Sequence, residues 1–196
     1  MNFLAHIFLS GNSDDIMIGN FIGDFVKGKK YLGYPEHIGQ GIILHRKIDL
    51  FTDRHSITKA CKAFLNQKYN KYSGIVVDIF YDHFLATNWK LYSSVPLKDF
   101  VVQKYTILSA YEYFFPEEVK IFFPTFLETN WLYAYSTFDG LGTVLQNMST
   151  RTSLPDFSSY AIKILKENYN ELGQNFFVFF KEIIDFVEKE YSIKFS

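Results

Sequence analysis

Apolar residues recur at helical spacing along almost the whole chain. A first long segment carries its apolar residues on one face, and the C-terminal segment carries a wide stripe of Phe176, Phe179, Phe180, Ile183, Ile184 and Val187. Repeats of this period are typical of amphipathic helices that bury one face against each other. No internal repeat, low-complexity tract or linker interrupts the pattern. The sequence therefore predicts one all-α domain over residues 1–196, built as a helical bundle.

Start and stop signals divide this pattern into helices. Ser13, followed by Asp14 and Asp15, is expected to cap a helix that ends at Gly28. The next helix should begin near Pro35 and run at least to Phe51. Further helices are predicted at about residues 72–92, 96–114, 117–135, 138–148, and from 157 to the C-terminus.

The first of these helices contains three residues that weaken it locally. Gly19 and Gly23 each cost roughly 1 kcal/mol relative to Ala in a helix interior. Asp24 places a carboxylate near the C-terminal end, where it opposes the helix dipole. Together they predict a close backbone approach or a site rather than simple packing.

The net charge of −1 hides an uneven distribution. From Phe25 to Lys71 there are ten Lys or Arg residues against three acids, so the remainder holds ten bases against eighteen acids. This basic stretch indicates an acidic partner, although an ordinary solvated helix face would look the same.

Composition narrows the remaining function classes. The 22 Phe and 14 Tyr are spread at helix-like spacing, so we expect them to fill a core rather than to stack on bases, and no nucleic-acid partner is expected. Cys61 is the single cysteine, so no internal disulfide can form. The N-terminal residues resemble neither a signal peptide nor a membrane span, which favours a cytoplasmic protein with no membrane partner.

His and Asp residues lie at helical spacing inside these apolar segments. His45, Asp49 and Asp53 follow one another at intervals of four, which would align them on one helix face. The alternative is that Thr52 or Asp53 caps a new helix that runs through Leu65, in which case Asp53 is mainly structural. In the third long helix, Asp78 and Asp82 are also four apart, and His83 is adjacent.

Ionisable groups in apolar helices are costly unless they are paired, and a divalent metal would pair them. The candidate ligands are His6, Asp24, His45, Asp82 and His83. With no cysteine cluster the donor set is hard, so manganese, magnesium or iron fits better than structural zinc. Two alternatives remain for single residues: His6 could be a hydrogen-bonded core histidine, and Asp78 could form a buried ion pair with Arg46.

Four motifs resemble those of the acyl carrier protein phosphodiesterase family. They are Met1-Asn2-Phe3-Leu4-Ala5-His6; Gly19-Asn20 with Asp24-Phe25-Val26-Lys27-Gly28; His45-Arg46-Lys47-Ile48-Asp49 with Thr52-Asp53; and Asp82-His83-Phe84-Leu85. Their order and spacing agree over about the first ninety residues, and weaker similarity continues through Trp131 and Met148-Ser149-Thr150-Arg151. The chain departs from the pattern at Phe8, where a relative carries a second histidine.

The resemblance implies a divergent HD-like metal phosphohydrolase that uses manganese. Its reaction would remove 4′-phosphopantetheine from holo acyl carrier protein by metal-assisted attack of water on phosphorus. In this hypothesis Asp49 or Asp53 orients that water or a ligand imidazole, and Arg46 stabilises charge on the phosphoryl oxygens. Asp78 is a further catalytic candidate. Acidic carrier protein would dock on a set of four lysines: Lys27, Lys29, Lys30 and Lys47.

Two other functions fit the sequence. One is an HD-like phosphohydrolase that acts on a nucleotide or another small phosphoester. The other is a non-catalytic helical module that binds an acidic protein, with its carboxylates paired to Arg46 and Lys47. Catalysis is favoured, because so many ionisable groups in apolar helices would be costly in a binding module.

Overall fold

A computed structural model describes residues 1–195 of the chain. Within that range the protein is helical with no β-strand, which confirms the predicted all-α class. The α-helices are α1 Phe3–Phe8, α2 Asp14–Ile22, α3 Glu36–Arg54, α4 Ser56–Ala63, α5 Asn66–Tyr69, α6 Ser73–Thr87, α7 Leu97–Ala110, α8 Glu117–Glu128, α9 Trp131–Ala134, α10 Phe138–Ser149, α11 Ser158–Glu167 and α12 Tyr169–Tyr191. Short 3₁₀ turns lie at Gly23–Phe25, Lys30–Gly33, Asn70–Tyr72, Trp89–Leu91 and Glu112–Phe114.

The helices enclose one hydrophobic core, and the aromatic residues fill it. Phe21 in α2, Phe126 in α8 and Phe176 in α12 are almost completely buried. Many of the rings pack edge to face or offset within about 6 Å, as in the contacts of Phe126 with Phe21 and Phe3. The expectation that the aromatic excess serves the core is therefore confirmed.

Helices α2 and α3 cross at unusually close range because glycine faces glycine. A β-carbon on Gly19 would lie 2.0 Å from the Ile38 carbonyl oxygen, and one on Gly41 would lie 2.2 Å from the Ile16 carbonyl oxygen. No side chain fits at either point. The close backbone approach predicted from Gly19 is thus present, and it brings the polar residues of α2 against α3.

Several predicted helix ends were wrong. The first long helix stops at Ile22 rather than Gly28, because the chain tightens into a 3₁₀ turn at Gly23. The predicted helix 72–92 ends at Thr87, and the single C-terminal helix is two helices. At both breaks an asparagine adds a side-chain hydrogen bond to the carbonyl that its backbone N–H already contacts: Asn88 donates to the Phe84 carbonyl and Asn168 to the Ile164 carbonyl.

Two other boundaries bear on the predictions. The predicted helix 117–135 is divided at Asn130, which adopts the left-handed conformation with φ 46°. In contrast, α3 continues without interruption through Asp53 to Arg54, so the alternative in which Asp53 caps a new helix is wrong. His55 instead begins the next helix, with its ring nitrogen accepting from the Ile57 backbone N–H.

Among the described residues, no helix combines the length and the apolar character needed to cross a bilayer.

Candidate metal centre

Two imidazoles meet one carboxylate where α1 packs against α3. His6 Nε2 lies 3.2 Å from one oxygen of Asp49, and His45 Nε2 lies 3.2 Å from the other. The two rings stack with their centroids 4.0 Å apart. Both imidazoles are buried, whereas the Asp49 side chain is 35 % exposed. His6, His45 and Asp49 thus form a possible metal-binding cluster, with one ligand atom from each within 4.8 Å of the others.

Asp24 completes the outer side of this cluster. It lies in the 3₁₀ turn after α2, and its Oδ1 is 3.3 Å from His45 Nε2. Its side chain is 70 % exposed, so the cluster is open to solvent on this side. Four of the sequence-predicted site residues are therefore brought together: His6, Asp24, His45 and Asp49.

Gly23 makes room for the His45 imidazole. A β-carbon at this position would lie 2.3 Å from the His45 ring and 2.4 Å from its β-carbon. Any other residue would push the ring out of its place. The helix-propensity cost of Gly23 is therefore explained by the space that the His45 imidazole needs.

The position of His45 Nε2 fits a cation. This nitrogen is buried and makes no hydrogen bond, although carboxylate oxygens of Asp24 and Asp49 lie 3.3 Å and 3.2 Å away. A buried polar atom without a partner is costly, and three acceptors that face one another repel unless a positive charge lies between them. The mixed nitrogen and oxygen donor set suits a divalent transition metal.

The pKa values of the two histidines are shifted in opposite directions. Burial and the neighbouring His45 lower the pKa of His6 to about 4. Burial also acts to lower the pKa of His45, but the Asp24 and Asp49 carboxylates beside Nε2 favour the protonated ring, outweigh burial and raise that pKa to about 9. Without a metal, a proton on His45 therefore partly neutralises the two carboxylates at neutral pH.

Asp78 lies beside the cluster but has a different partner. Its Oδ1 is 3.0 Å from the α-amino group of Met1, which also lies 3.6 Å from Asp49 Oδ1. Burial raises the pKa of Asp78 to about 6. Among residues 1–195 no carboxylate forms an ion pair with Arg46, so the alternative of a buried pair between Asp78 and Arg46 is wrong.

Asp82 is completely buried and is bonded to the start of α1. Its carboxylate accepts hydrogen bonds from the backbone N–H groups of Asn2, Leu4 and Ala5, at 3.3, 2.7 and 3.3 Å. These N–H groups have no partner within the helix, and a negative charge beside them is favourable. The structure therefore places Asp82 where it anchors α1 and, through it, His6, instead of bringing it to the cluster.

His83 is also away from the cluster. Its Nδ1 lies 2.7 Å from the Tyr135 carbonyl oxygen and its Nε2 lies 3.1 Å from the Tyr169 hydroxyl. Both ring nitrogens are thus engaged by residues of the C-terminal half. Adjacent residues on a helix point about 100° apart, and here Asp82 and His83 face two different parts of the core.

Asp53 lies on the surface, although it continues the spacing of His45 and Asp49. Its carboxylate forms an ion pair with Lys62 at 2.8 Å. Each interval of four residues advances the direction of the side chain by about 40°, because a helix has 3.6 residues per turn. After two intervals Asp53 points roughly 80° away from His45, which is enough to leave the cluster.

Arg46 is half-buried and holds the chain that follows Asp24. One of its guanidinium nitrogens donates to the Val26 carbonyl oxygen at 2.6 Å, and its guanidinium carbon lies 5.5 Å from the centre of the Tyr31 ring. The segment that carries the predicted lysines is thereby fixed against α3.

The four candidate docking lysines do not share one surface. Lys27, Lys29 and Lys30 are exposed in the segment after Asp24, and the Lys27 ammonium contacts the Asp24 carbonyl oxygen. Lys47 is exposed as well, but it lines a groove with Phe186 of α12. Two residues along a helix correspond to about 200°, so Lys47 points away from His45.

A family model described as "Acyl carrier protein phosphodiesterase" matches residues 1–183. The chain belongs to this family.

Relatives named acyl carrier protein phosphodiesterase match over nearly their whole length. The protein from Photorhabdus laumondii subsp. laumondii is 28 % identical over 191 residues, covering 97 % of this chain and 96 % of the relative. The Yersinia pestis protein is 29 % identical, covering 92 % and 94 %. The Klebsiella pneumoniae (strain 342) protein is 30 % identical, covering 97 % and 99 %. The family resemblance predicted from the motifs is confirmed.

No solved structure matches this chain. The HD-like architecture therefore stays a prediction, while the all-α class is established by the helices themselves.

Sequence reasoning missed Asn20 as a site residue. It was noted only as part of a family motif, yet its oxygens lie 2.7 Å from Nδ1 of His6 and 2.7 Å from Nδ1 of His45. No periodic pattern marks it, because its partners lie on two other helices. Asn20 is completely buried, and an asparagine within the apolar run of α2 is the sequence signal that could have found it.

Proposed function

We propose that this protein is a metal-dependent phosphoric diester hydrolase that releases 4′-phosphopantetheine from holo acyl carrier protein. One observation carries the proposal: in a member of this family, a single carboxylate bridges two buried imidazoles, and His45 Nε2 among them has no hydrogen-bond partner. Such a donor set is built for a cation.

Four residues would hold the metal: His6, His45, Asp49 and Asp24. The hard carboxylate oxygens with two imidazoles favour manganese, with magnesium or iron as alternatives. When bound, a divalent ion supplies Lewis acidity at a phosphoryl oxygen and lowers the pKa of water. Asp82 and His83 are not part of this proposed set, since their polar atoms already have protein partners.

Side chains at the solvent-exposed edge of the cluster would transfer protons and stabilise the charge on the phosphoryl group. Water attacks phosphorus, the bond between phosphorus and the carrier's serine oxygen breaks, and that oxygen takes up a proton. Asp24 holds Oδ1 towards His45 Nε2, so the second oxygen of this exposed carboxylate is suited to accept the proton of the water and to return it to the serine oxygen. Arg46 uses one nitrogen on Val26, and its other N–H groups are available to steady phosphoryl charge.

Docking of the acidic carrier is proposed on Lys27, Lys29 and Lys30. These lysines are exposed in the segment that follows Asp24, and the Lys27 ammonium contacts the Asp24 carbonyl oxygen. Attraction between a basic surface and an acidic protein speeds encounter and fixes orientation. Neither Arg46 nor Lys47 is paired with the cluster carboxylates, so the closed arrangement expected of a non-catalytic binding module is not formed among residues 1–195.

The test is the mass of holo acyl carrier protein after incubation with this protein and Mn²⁺. We expect the phosphopantetheine mass to be lost with the wild type, and to be retained with EDTA or with His45→Ala. His37→Ala is the matched control, because His37 is exposed and hydrogen-bonded only to Gln40. An unchanged carrier mass in the presence of protein with confirmed metal content would refute the proposal and direct the search to small phosphoesters.

A further inference from the structure

Asn20 lies beneath both histidines of the cluster. Its side-chain Oδ1 is 2.7 Å from His6 Nδ1, and its main-chain carbonyl oxygen is 2.7 Å from His45 Nδ1. One residue of α2 thus contacts the inner nitrogen of an imidazole on α1 and of another on α3.

The orientation of the Asn20 amide follows from its other partners. Its Nδ2 donates to the His6 carbonyl oxygen at 2.8 Å and to Ser10 Oγ at 2.9 Å. A backbone carbonyl can only accept a hydrogen bond, so the nitrogen end of the amide must face it. The oxygen end therefore faces His6 Nδ1. Because that oxygen can only accept, Nδ1 of His6 must carry the hydrogen.

The same reasoning applies to His45, although here the partner is the main chain of Asn20 rather than its side chain. The Asn20 main-chain oxygen is also only an acceptor, so Nδ1 of His45 must carry a hydrogen as well. In the neutral rings Nε2 is then left with its lone pair, and both Nε2 atoms face Asp49 at 3.2 Å. The hydrogen bond made at one ring nitrogen sets the state of the other.

We propose that Asn20 is the positioning residue that keeps a hydrogen on Nδ1 of both histidines, and so leaves Nε2 for a metal, through its side chain for His6 and through its main-chain carbonyl for His45. The consequence for metal binding rests on the proposed function, whereas the tautomers themselves do not. Groups that orient ligand histidines typically change metal affinity by 10- to 100-fold when they are lost.

The division between side chain and main chain makes the proposal testable with an internal control. Asn20→Leu removes the contact to His6 but leaves the main-chain carbonyl that His45 uses. We expect His6 to lose its uniform Nδ1–H tautomer, while the signals of His45 stay as in the wild type. A role of Asn20 in packing alone would lower stability without this selective change at one ring.

The measurement is ¹⁵N–¹H NMR of metal-free, ¹⁵N-histidine-labelled protein at neutral pH. Asn20→Ser repeats the test with a side chain too short to reach His6, and it carries the test if the leucine variant does not fold. Ser10→Ala is the matched control, since Asn20 Nδ2 keeps its bond to the His6 carbonyl there. Asn170→Leu controls for a surface asparagine.

Calorimetric titration of the same variants with Mn²⁺ gives the second result. We expect binding to Asn20→Leu and Asn20→Ser to be weaker by at least about tenfold, and binding to the two controls to stay within about threefold of the wild type. A His6 that keeps Nδ1–H in both Asn20 variants overturns the proposal. A wild type that binds no Mn²⁺ overturns the proposed metal site instead, while the tautomer result stands on its own.

Discussion

At the scale of single residues, close contacts on several sides fix the position of each side chain in the cluster. Asp49 contacts both imidazoles, and these contacts, with the Met1 α-amino group, outweigh burial and hold its pKa well below the usual range. His45 has two carboxylates around one nitrogen and Gly23 against its ring. These positions are determined by contact, so small changes should have large local effects.

Gly23→Ala tests the space that His45 needs. The added methyl group would lie 2.3 Å from the ring, so the imidazole must move away from Asp49. We expect Mn²⁺ affinity, measured by calorimetry, to fall by at least about tenfold. Gly142→Ala is the control, because a β-carbon there meets nothing within 4 Å. Equal Mn²⁺ affinities in both variants would contradict the role of Gly23.

The pH dependence of metal binding should report the protonation of His45. Its pKa is raised to about 9 in the metal-free protein, whereas a metal needs the unprotonated Nε2. From neutral pH up to about pH 9 each bound ion must displace one proton, so affinity should rise about tenfold per pH unit and then level off. His6, with its pKa lowered to about 4, adds no slope there.

Titration of Mn²⁺ in two buffers of different ionisation enthalpy counts the protons released. About one proton per ion is expected near neutral pH. A count near zero would mean that His45 is already neutral in the free protein, and it would contradict the electrostatic account of the cluster.

At the scale of elements, a short helix and a long helix supply the cluster in different ways. The 19-residue α3 presents His45 and Asp49 one turn apart, a relation fixed by helix geometry. The six-residue α1 is too short to be stable alone. It depends on Asp82 of α6, whose carboxylate accepts from three backbone N–H groups at its start.

Asp82→Asn should therefore act mainly on stability. The amide has one acceptor oxygen in place of two and carries no charge, so N–H groups at the start of α1 lose their partner, at about 1–3 kcal/mol for each unsatisfied group. We expect a clear drop in the free energy of unfolding, measured with denaturant. Asp99→Asn, at an exposed position of α7, should change it little.

Asp49→Asn is the matching substitution within the cluster. We expect it to reduce Mn²⁺ affinity more than Asp82→Asn does, and to affect unfolding less. The opposite ranking of the two variants in calorimetric titration would restore Asp82 as a metal ligand.

At the scale of the whole molecule, the cluster opens on one side of α3 and the basic surface is divided between two sides. Lys29 and Lys30 are exposed in the segment that follows Asp24, whereas Lys47 lines a groove against α12. A carrier protein that reaches the cluster with its prosthetic group would meet the first set and not the second.

Charge-reversal variants can distinguish the surface of Lys29 and Lys30 from that of Lys47 as the docking site. Lys29→Glu/Lys30→Glu should raise KM for holo acyl carrier protein by about tenfold at low salt with little change in kcat, and added salt should reduce the difference. Lys47→Glu is the control with the same type of change on the other side of α3. If the Lys29→Glu/Lys30→Glu variant and the Lys47→Glu variant change KM equally, net charge rather than a docking surface governs the encounter.

The sequence by itself determined the helical class and several of the residues that lie together in the cluster. Helical spacing predicted the all-α class, Ser13 marked the start of α2, and the penalties at Gly19 and Gly23 indicated close approach, as both positions show. His6, Asp24 and His45 were named as ligands from residue type and spacing. The inferences about the helices succeed because periodicity and capping are local properties of the chain, while the ligand roles stay a prediction.

Only the tertiary structure decided which polar groups meet. Asp82 accepts from the Leu4 N–H across 78 positions of sequence, and Asn20 bridges histidines on two other helices. Spacing shows which residues share a face of one helix, but a buried carboxylate is satisfied by whatever donor a neighbouring helix presents. The separation of Asp49 from Asp82, and of Lys30 from Lys47, follows from helix packing and rotation that no local pattern encodes.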